Sequence, residues 1–584
     1  MNERAMLAAL AAACALGSGG GAAAETFNVG QVDITVSAVV SAGIMIRTDE
    51  PNSEFIAAGN KPGGTASSSA FDDASLNFDR GDVVSSPLKA LGEVKFRYGD
   101  FGANFSGKAW YDYELDQGDR AHGNIVNHNA PGVSLDDSGF DNLAKVKGIA
   151  LLDAYVYGMF DIGDMPLDLR VGRQVVSWGE ATFIGGGINS INPIDVSAFR
   201  RPGAEIKEGL MPVGLVYGNL GLTEALSLEA FYQLEWRPTV IDGCGTFFST
   251  IDGVAKGCNG LTISAAQNDA TTAMILGRGD DIEPDDGGQY GVSLRYYARP
   301  IDVEFGAYYL NYHSRTPYIS VVKHSATNGG PFIPGNPSGG NFGYRVDYPE
   351  DIHLFGLSFA TAIEGASVYG EISHRPNMPV ALNANDLLSA FLTGGTAPNS
   401  PLSPIAASLP FGALFPGYDE ARQTRVQASM LKVFPPMLGA GSVSFIAEAG
   451  AEFLGGLDED RRYGRPTVFG SATYNGICTS TTDKKCQAEG FVTSFSWGYR
   501  ARAIFDYPDA FMGVNAKPFL SWSHDVQGYS ADGSFSKGRM GLGVGVDFDY
   551  QAYSLGASWT SFFGGDYHYG NDRDFLSLSA SVRF

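Results

Sequence analysis

Beyond its first two dozen residues this sequence has no apolar run long enough to cross a bilayer as a helix, which excludes a helical membrane protein. Charge is scarce as well: Asp, Glu, Lys and Arg make up 18% of 584 residues, and 64 acidic against 40 basic residues leave a formal net charge of −24. That acidic balance argues against a nucleic-acid partner. There are five cysteines, no C-x-x-C half-site and no histidine within either close pair, Cys244/Cys258 or Cys478/Cys486, so neither a bound metal nor a cofactor is expected. No G-x-S-x-G elbow occurs, and neither His122-Gly123-Asn124 nor Ser523-His524-Asp525 forms a complete nucleophile signature, because adjacent strand residues point to opposite faces. An enzyme is therefore not expected. The passenger or repeat region of an adhesin is missing too. What the chain has instead is glycine (76), phenylalanine (37) and tyrosine (27) in a repeating pattern.

The N-terminus, Met1-Asn2-Glu3-Arg4, an apolar stretch from Ala5 to Leu16, a glycine break and Ala22-Ala23-Ala24, is that of a secretory signal with cleavage expected after Ala24. Cys14 does not make it a lipoprotein leader, since Ala11 stands where that motif needs leucine. Export brings an oxidising compartment, so Cys244 with Cys258 and Cys478 with Cys486 are expected to form two small loop disulfides. Acidic runs at 280–286 and 458–460 fit solvated loops, or capture of cations that bridge to lipopolysaccharide.

From there to Phe584 one rhythm repeats: an alternating segment, a very short turn, a second alternating segment, a long loop. Ala103, Phe105, Gly107, Ala109, Tyr111 and Tyr113 oppose Asn104, Ser106, Lys108, Trp110, Asp112 and Glu114. Leu226, Leu228, Ala230, Tyr232, Leu234 and Trp236 oppose Ser227, Glu229, Phe231, Gln233 and Glu235. A soluble sandwich alternates too, but Tyr and Trp at the ends of the apolar rows fit interfacial girdles. Trp178, Trp236, Trp522 and Trp559 are the expected girdle tryptophans. Short turns fall near 99–100, 163–164, 218–221, 299–300, 364–365, 435–436, 507–508 and 551–552, and nine long loops lie between them. The expected fold is an all-β, antiparallel up-and-down transmembrane barrel of roughly 18 strands, a single domain over 25–584, with short periplasmic turns and long external loops. Phe575 to Phe584 alternates to its last residue, and Val32, Ile34, Val36, Ala38 and Val40 are its expected partner in closure. The terminal Phe584 has the form of a signal read by the barrel assembly machinery.

Several stretches resemble the domain-of-unknown-function 1302 family of Gram-negative outer-membrane proteins. They include Val171-Gly172-Arg173-Gln174-Val175-Val176-Ser177-Trp178-Gly179-Glu180, Gly187-Ile188-Asn189-Ser190-Ile191-Asn192-Pro193-Ile194-Asp195 and Arg201-Pro202-Gly203-Ala204-Glu205. Tyr348-Pro349-Glu350-Asp351, Ser523-His524-Asp525-Val526 and Ser561-Phe562-Phe563-Gly564-Gly565-Asp566-Tyr567 follow in the family's order. The resemblance implies an outer-membrane protein surrounded by lipid and lipopolysaccharide, a periplasmic lipoprotein-like partner of the 1329 family, a resistance-nodulation-division exporter, and hydrophobic or lipid-like cargo.

The segment from Arg173 to Glu205 is the best candidate for a functional element. Its strand places Asp168, Arg170 and Gln174 on the face opposite Leu167, Leu169 and Val171, hence in the lumen if the apolar face meets lipid. The Gly- and Asn-rich loop that follows either folds inward, with Glu180, Asp195, Arg200 and Arg201 setting the field of a constriction, or braces the rim. A channel or transporter for hydrophobic or amphipathic small molecules is expected. The alternatives are a general or cation-preferring porin, then a scaffold or an outer-membrane hydrolase.

Overall fold

The computed structural model describes residues 24–584 apart from 125, 126, 128, 263, 272–274, 324–341 and 472–482; the leader lies outside the described residues. Eighteen strands form the wall. They begin with β1 (Val32–Arg47), β2 (Pro87–Tyr98), β3 (Phe101–Asp112), β4 (Lys147–Ile162), β5 (Met165–Gln174) and β6 (Val213–Thr223). The middle third is β7 (Leu226–Gln233), β8 (Tyr290–Ala298), β9 (Val303–Tyr312), β10 (Ile352–Ile363), β11 (Ala366–Ala381) and β12 (Tyr418–Phe434). The last third is β13 (Ser442–Gly455), β14 (Phe495–Phe511), β15 (Val514–Gln527), β16 (Met540–Tyr550), β17 (Tyr553–Phe563) and β18 (Phe575–Arg583).

Each strand pairs antiparallel with its neighbours in the chain, and β1 closes on β18 from Val39↔Arg583 to Arg47↔Phe575. Closure leaves no strand edge facing lipid, where unpaired N–H and C=O groups are costly. Phe584 extends the seam, exchanging backbone hydrogen bonds with Ala38 at 2.9 and 3.1 Å. The expected partner of the last strand is thus only half right. Val32 to Val36 pair on that side with a short N-terminal strand, Glu25–Val29, because Gly30 at φ 66° turns the chain back on itself below the C-terminus.

The period of two decides which side chains meet lipid. Phe355 and Leu357 on β10 are 51 and 59% exposed, while Gly356 between them and Leu354 and Ser358 on either side are buried. Val544, Leu555, Leu520 and Phe105 repeat the pattern, giving an outward apolar belt far larger than a water-soluble surface carries. Tyr98, Tyr297, Tyr550 and Tyr553 flank the short turns as an exposed aromatic rim. No helix among the described residues is long and apolar enough to cross a membrane. This is a closed transmembrane β-barrel.

Two expected turns are displaced. Residues 218–221 lie within β6, whose turn comes at Glu224-Ala225, and Tyr507-Pro508 lies within β14, which runs through a bulge to the turn at Met512-Gly513. Glycine and proline marked these sites in sequence, yet both strands run on past them through register shifts, β6 to Thr223 against β7 and β14 to Phe511 against β15.

The long loops differ more from expectation, because they build a cap with its own apolar core. Five short strands, Gly260–Thr262, Ile275–Arg278, Phe342–Asp347, Tyr318–Val322 and Leu414–Phe415, form a second sheet. A helix, Ala384–Leu392, is capped by the Asn383 side chain and buries Leu387 and Phe391 among Val321, Tyr344 and Leu402. Phe391 and Phe415 stack with centroids 4.8 Å apart. Cys244 and Cys258 form a disulfide with Cα atoms 6.1 Å apart. Of the other expected pair, Cys486 ends the short turn Lys484–Cys486, and Cys478 lies outside the described residues.

Candidate functional site

The 38 residues between β5 and β6, 175–212, do not stay at the rim; they run into the lumen and are held to the wall on opposite sides. At the far wall, Glu371 on β11 accepts from the backbone N–H groups of Glu180 (2.5 Å), Ala181 (3.1 Å) and Ile188 (2.7 Å). Glu448 on β13 accepts from those of Thr182 (3.1 Å), Phe183 and Ile184 (3.3 Å). Cations and an amide take the carbonyls. Arg375 donates to Gly186 O (3.0 Å) and Gly187 O (2.7 Å), Arg425 to Gly185 O, and Gln427 to Ile184 O (2.5 Å). The approach is so close that a Cβ on Gly187 would lie 1.9 Å from Glu371 Oε1, and Gly186 sits at φ 79°, which accounts for glycine at 186 and 187.

The near half of the segment is pinned to β2 and β3. Asp195 is fully buried, caps the helix Val196–Arg200 by accepting from Ala198 N at 3.0 Å, and pairs with buried Lys108 at 2.6 Å. Lys89 pairs with Glu208 at 2.9 Å. Arg200 binds Asp242 and the Phe248 carbonyl (2.7 Å) in the cap, and Arg201 lies 4.7 Å over the Trp110 ring. Asp195, Arg200 and Arg201 therefore anchor the loop; Asp195 presents no charge to the open lumen.

The other expected residues divide in the same way. Asp168 and Arg170 share the inner face of β5 as a half-buried ion pair at 2.6 Å, with Arg170 over Tyr217 at 5.2 Å. Gln174 is buried behind the loop, where its side chain donates to Leu215 O at 3.4 Å. Glu180 does reach the lumen, 3.9 Å from Arg295, which also pairs with Glu229 (3.1 Å) and Glu304 (2.9 Å). Burial pushes the Glu180 carboxyl up to about 7; Arg295 opposes the shift, and Glu304 and Glu371 add to it. The loop also carries exposed apolar side chains: Phe183, Phe199 and Ile206 are 41, 40 and 71% accessible.

Two of the expected girdle tryptophans are elsewhere. Trp178 is 1% exposed inside the barrel, donating to Glu229 at 2.7 Å, because it belongs to the segment that turns into the lumen after Gln174. Trp236 is buried against Tyr348 in the cap and donates to Ser314 O, the chain having left the wall after Gln233. Trp522 and Trp559 lie on the wall near the loop rim, Trp522 beside Phe563 and Trp559 38% exposed and bonded to Thr48.

Above the loop, the cap encloses a cavity of about 1230 Å³ lined by Phe71, Ile251, Leu388, Leu392 and Tyr529 among others. It exceeds the roughly 300–1,000 Å³ of ordinary small-molecule pockets. Asp532 and Phe535 form part of its wall, and Arg425 ties Asp532 (2.6 Å) to the tip of the inward loop. Cap cavity and lumen loop are one connected structure.

A family model described as "Protein of unknown function (DUF1302)" matches residues 5–584. The chain belongs to that family. No curated protein matches it. Solved structures with which this DUF1302 chain shares some likeness include OccAB4 of Acinetobacter baumannii, at 11% identity and a TM-score of 0.40 over 94% of this chain and 97% of that one. The outer membrane channel DcaP of the same organism gives 10% and 0.35 over 96% and 100%. OccD3 (OpdP) of Pseudomonas aeruginosa gives 8% and 0.38 over 96% and 93%. Likeness at that level says nothing about what this chain carries.

The residues that sequence reasoning missed are the clamp itself: Glu371, Arg375, Arg425, Gln427 and Glu448. Their signal was a polar row at every second position, Glu371-x-Ser373-x-Arg375 and Gln423-x-Arg425-x-Gln427. That row gives the face of each strand but no partner.

Proposed function

We propose that this chain is an outer-membrane channel whose passage is set by the inward loop, and that its cargo is small and hydrophobic or amphipathic. The observation that carries the proposal is the clamp: six backbone N–H groups of the loop, held by Glu371 and Glu448 across the lumen from the Lys108–Asp195 anchor. A loop fixed on both sides narrows a barrel without filling it. Glu180 with Arg295 gives the loop a charged contact, Phe183, Phe199 and Ile206 along it give exposed apolar ones, and the cap cavity supplies an apolar antechamber. The periplasmic lipoprotein-like partner and the exporter belong to the proposal on family resemblance alone.

The test is single-channel recording of the mature protein in planar bilayers, with solute uptake into proteoliposomes alongside. Small or intermittent conductance with faster uptake of an amphipathic dye than of a sugar of equal size is the expected result. A large, steady conductance with free sugar passage would overturn it in favour of a general porin. Silence in both assays from inserted barrels would favour a scaffold.

A further inference from the structure

The cap holds four aspartates that the channel does not use. Asp72, Asp73, Asp252 and Asp269 come from two different loops and converge at 0 to 2% exposure. One carboxylate oxygen each of Asp72, Asp73 and Asp252 lie within 4.8 Å of one another; Asp73, His122 and Asp269 form a second such group sharing Asp73. Among the described residues no lysine or arginine pairs with any of the four. The cationic candidate is His122, 2.6 Å from Asp269.

Donors reach part of the cluster only. Asp72 accepts from Ala57 N (2.8 Å) and Asn60, Asp269 from Asn60 and His122, and Oδ2 of Asp73 from Asn124 (3.0 Å). Oδ1 of Asp73 is buried with no hydrogen-bond partner, and both carboxylate oxygens of Asp252 are buried with no side-chain donor, facing the Asp73 backbone N–H alone. An ionised carboxylate so placed costs several kcal/mol unless a cation neutralises it.

We propose that Asp72, Asp73 and Asp252, supported by Asp269, bind one divalent cation, and that the ion is calcium. The orphaned oxygens point to a ligand that accepts oxygen donors. An all-carboxylate set converging from separate loops suits the flexible, oxygen-only coordination of calcium better than the strict octahedron of magnesium or the nitrogen and sulfur preference of zinc. The ion would tie the loop after β1 to the loop after β7, two segments that pack into the same cap, and so fix the roof of the cavity.

The experiment is equilibrium dialysis of radioactive calcium against the full mature chain in detergent, after chelation and in a magnesium background, with limited proteolysis of the cap in parallel. One calcium per chain is expected, together with a proteolysis rate about tenfold lower at a calcium level ten times its Kd. Asp73→Asn/Asp252→Asn should abolish binding and protection, whereas Asp280→Asn/Asp281→Asn in the acidic run should keep both. Heat-modifiable migration on gels reports that each barrel is folded. No bound calcium on folded wild-type protein, or equal binding by the Asp73/Asp252 variant, would overturn the assignment.

Discussion

Removing the clamp should open the barrel without unfolding it. Glu371→Ala takes away an acceptor of three N–H groups, and Glu448→Ala another three. Hydrogen bonds to charged groups contribute about 1.5–3 kcal/mol each. Bonds sharing one carboxylate are not additive and the freed N–H groups meet water in the lumen, so about 3 kcal/mol per carboxylate is the fair figure, or about 6 kcal/mol for the pair. That moves a docked–undocked equilibrium by about 10⁴. Arg375, Arg425 and Gln427 still hold the carbonyls of Ile184 to Gly187, so either single variant should change conductance little and the double variant greatly. Only residues 179–190 should swing free, since Lys108–Asp195 and Lys89–Glu208 keep the rest in place. The assay is single-channel conductance of refolded wild-type, single and double variants, each shown to be folded by heat-modifiable migration. A folded double variant with wild-type conductance would refute the idea that this loop sets the passage.

Two further outcomes follow from the same geometry. Asp195→Ala removes a helix cap and strands Lys108, whose side chain is 2% exposed, so it should destabilise the protein by about 3–5 kcal/mol in chemical denaturation; Lys108→Met in the same chain should recover most of that, and no recovery would mean the pair is not the anchor. Because the folded state raises the Glu180 carboxyl to about 7, the group is neutral below that pH and anionic above it, so cation preference read from the reversal potential should rise as pH goes from 6 to 8. Glu180→Gln should flatten that rise, and an unchanged profile would place the relevant titration elsewhere.

Much of the wall was legible because one rule, period two, governs every strand. Leu357 and Phe355 outward, Glu229 and Gln233 inward, and the pairing of the last strand with the first all follow from it. Trp178 lies past the end of β5, where the loop turns into the lumen, and the habit of aromatics at membrane interfaces misplaced it. Trp236 shows the rule running out: its parity is that of lipid-facing Leu234, but the wall has ended and the side chain joins the cap.

Inside the lumen the difficulty is of another kind. Alternation says that Glu371 and Glu448 point inward, and glycines at 186 and 187 say that something approaches that backbone closely, but nothing local joins Glu180 to Glu371 across 191 residues. Which inward rows face each other depends on strand tilt and stagger around a closed wall, a global property with no mark on any single strand. The same holds for Asp73 and Asp252, on loops whose positions are fixed only once the barrel brings their ends together. A barrel therefore displays its scaffold in short-range pattern and keeps its function in contacts between distant segments. The residues that mattered at this site were polar ones on the inward parity with no partner in their own hairpin, and they are the ones to look for in other chains of this architecture.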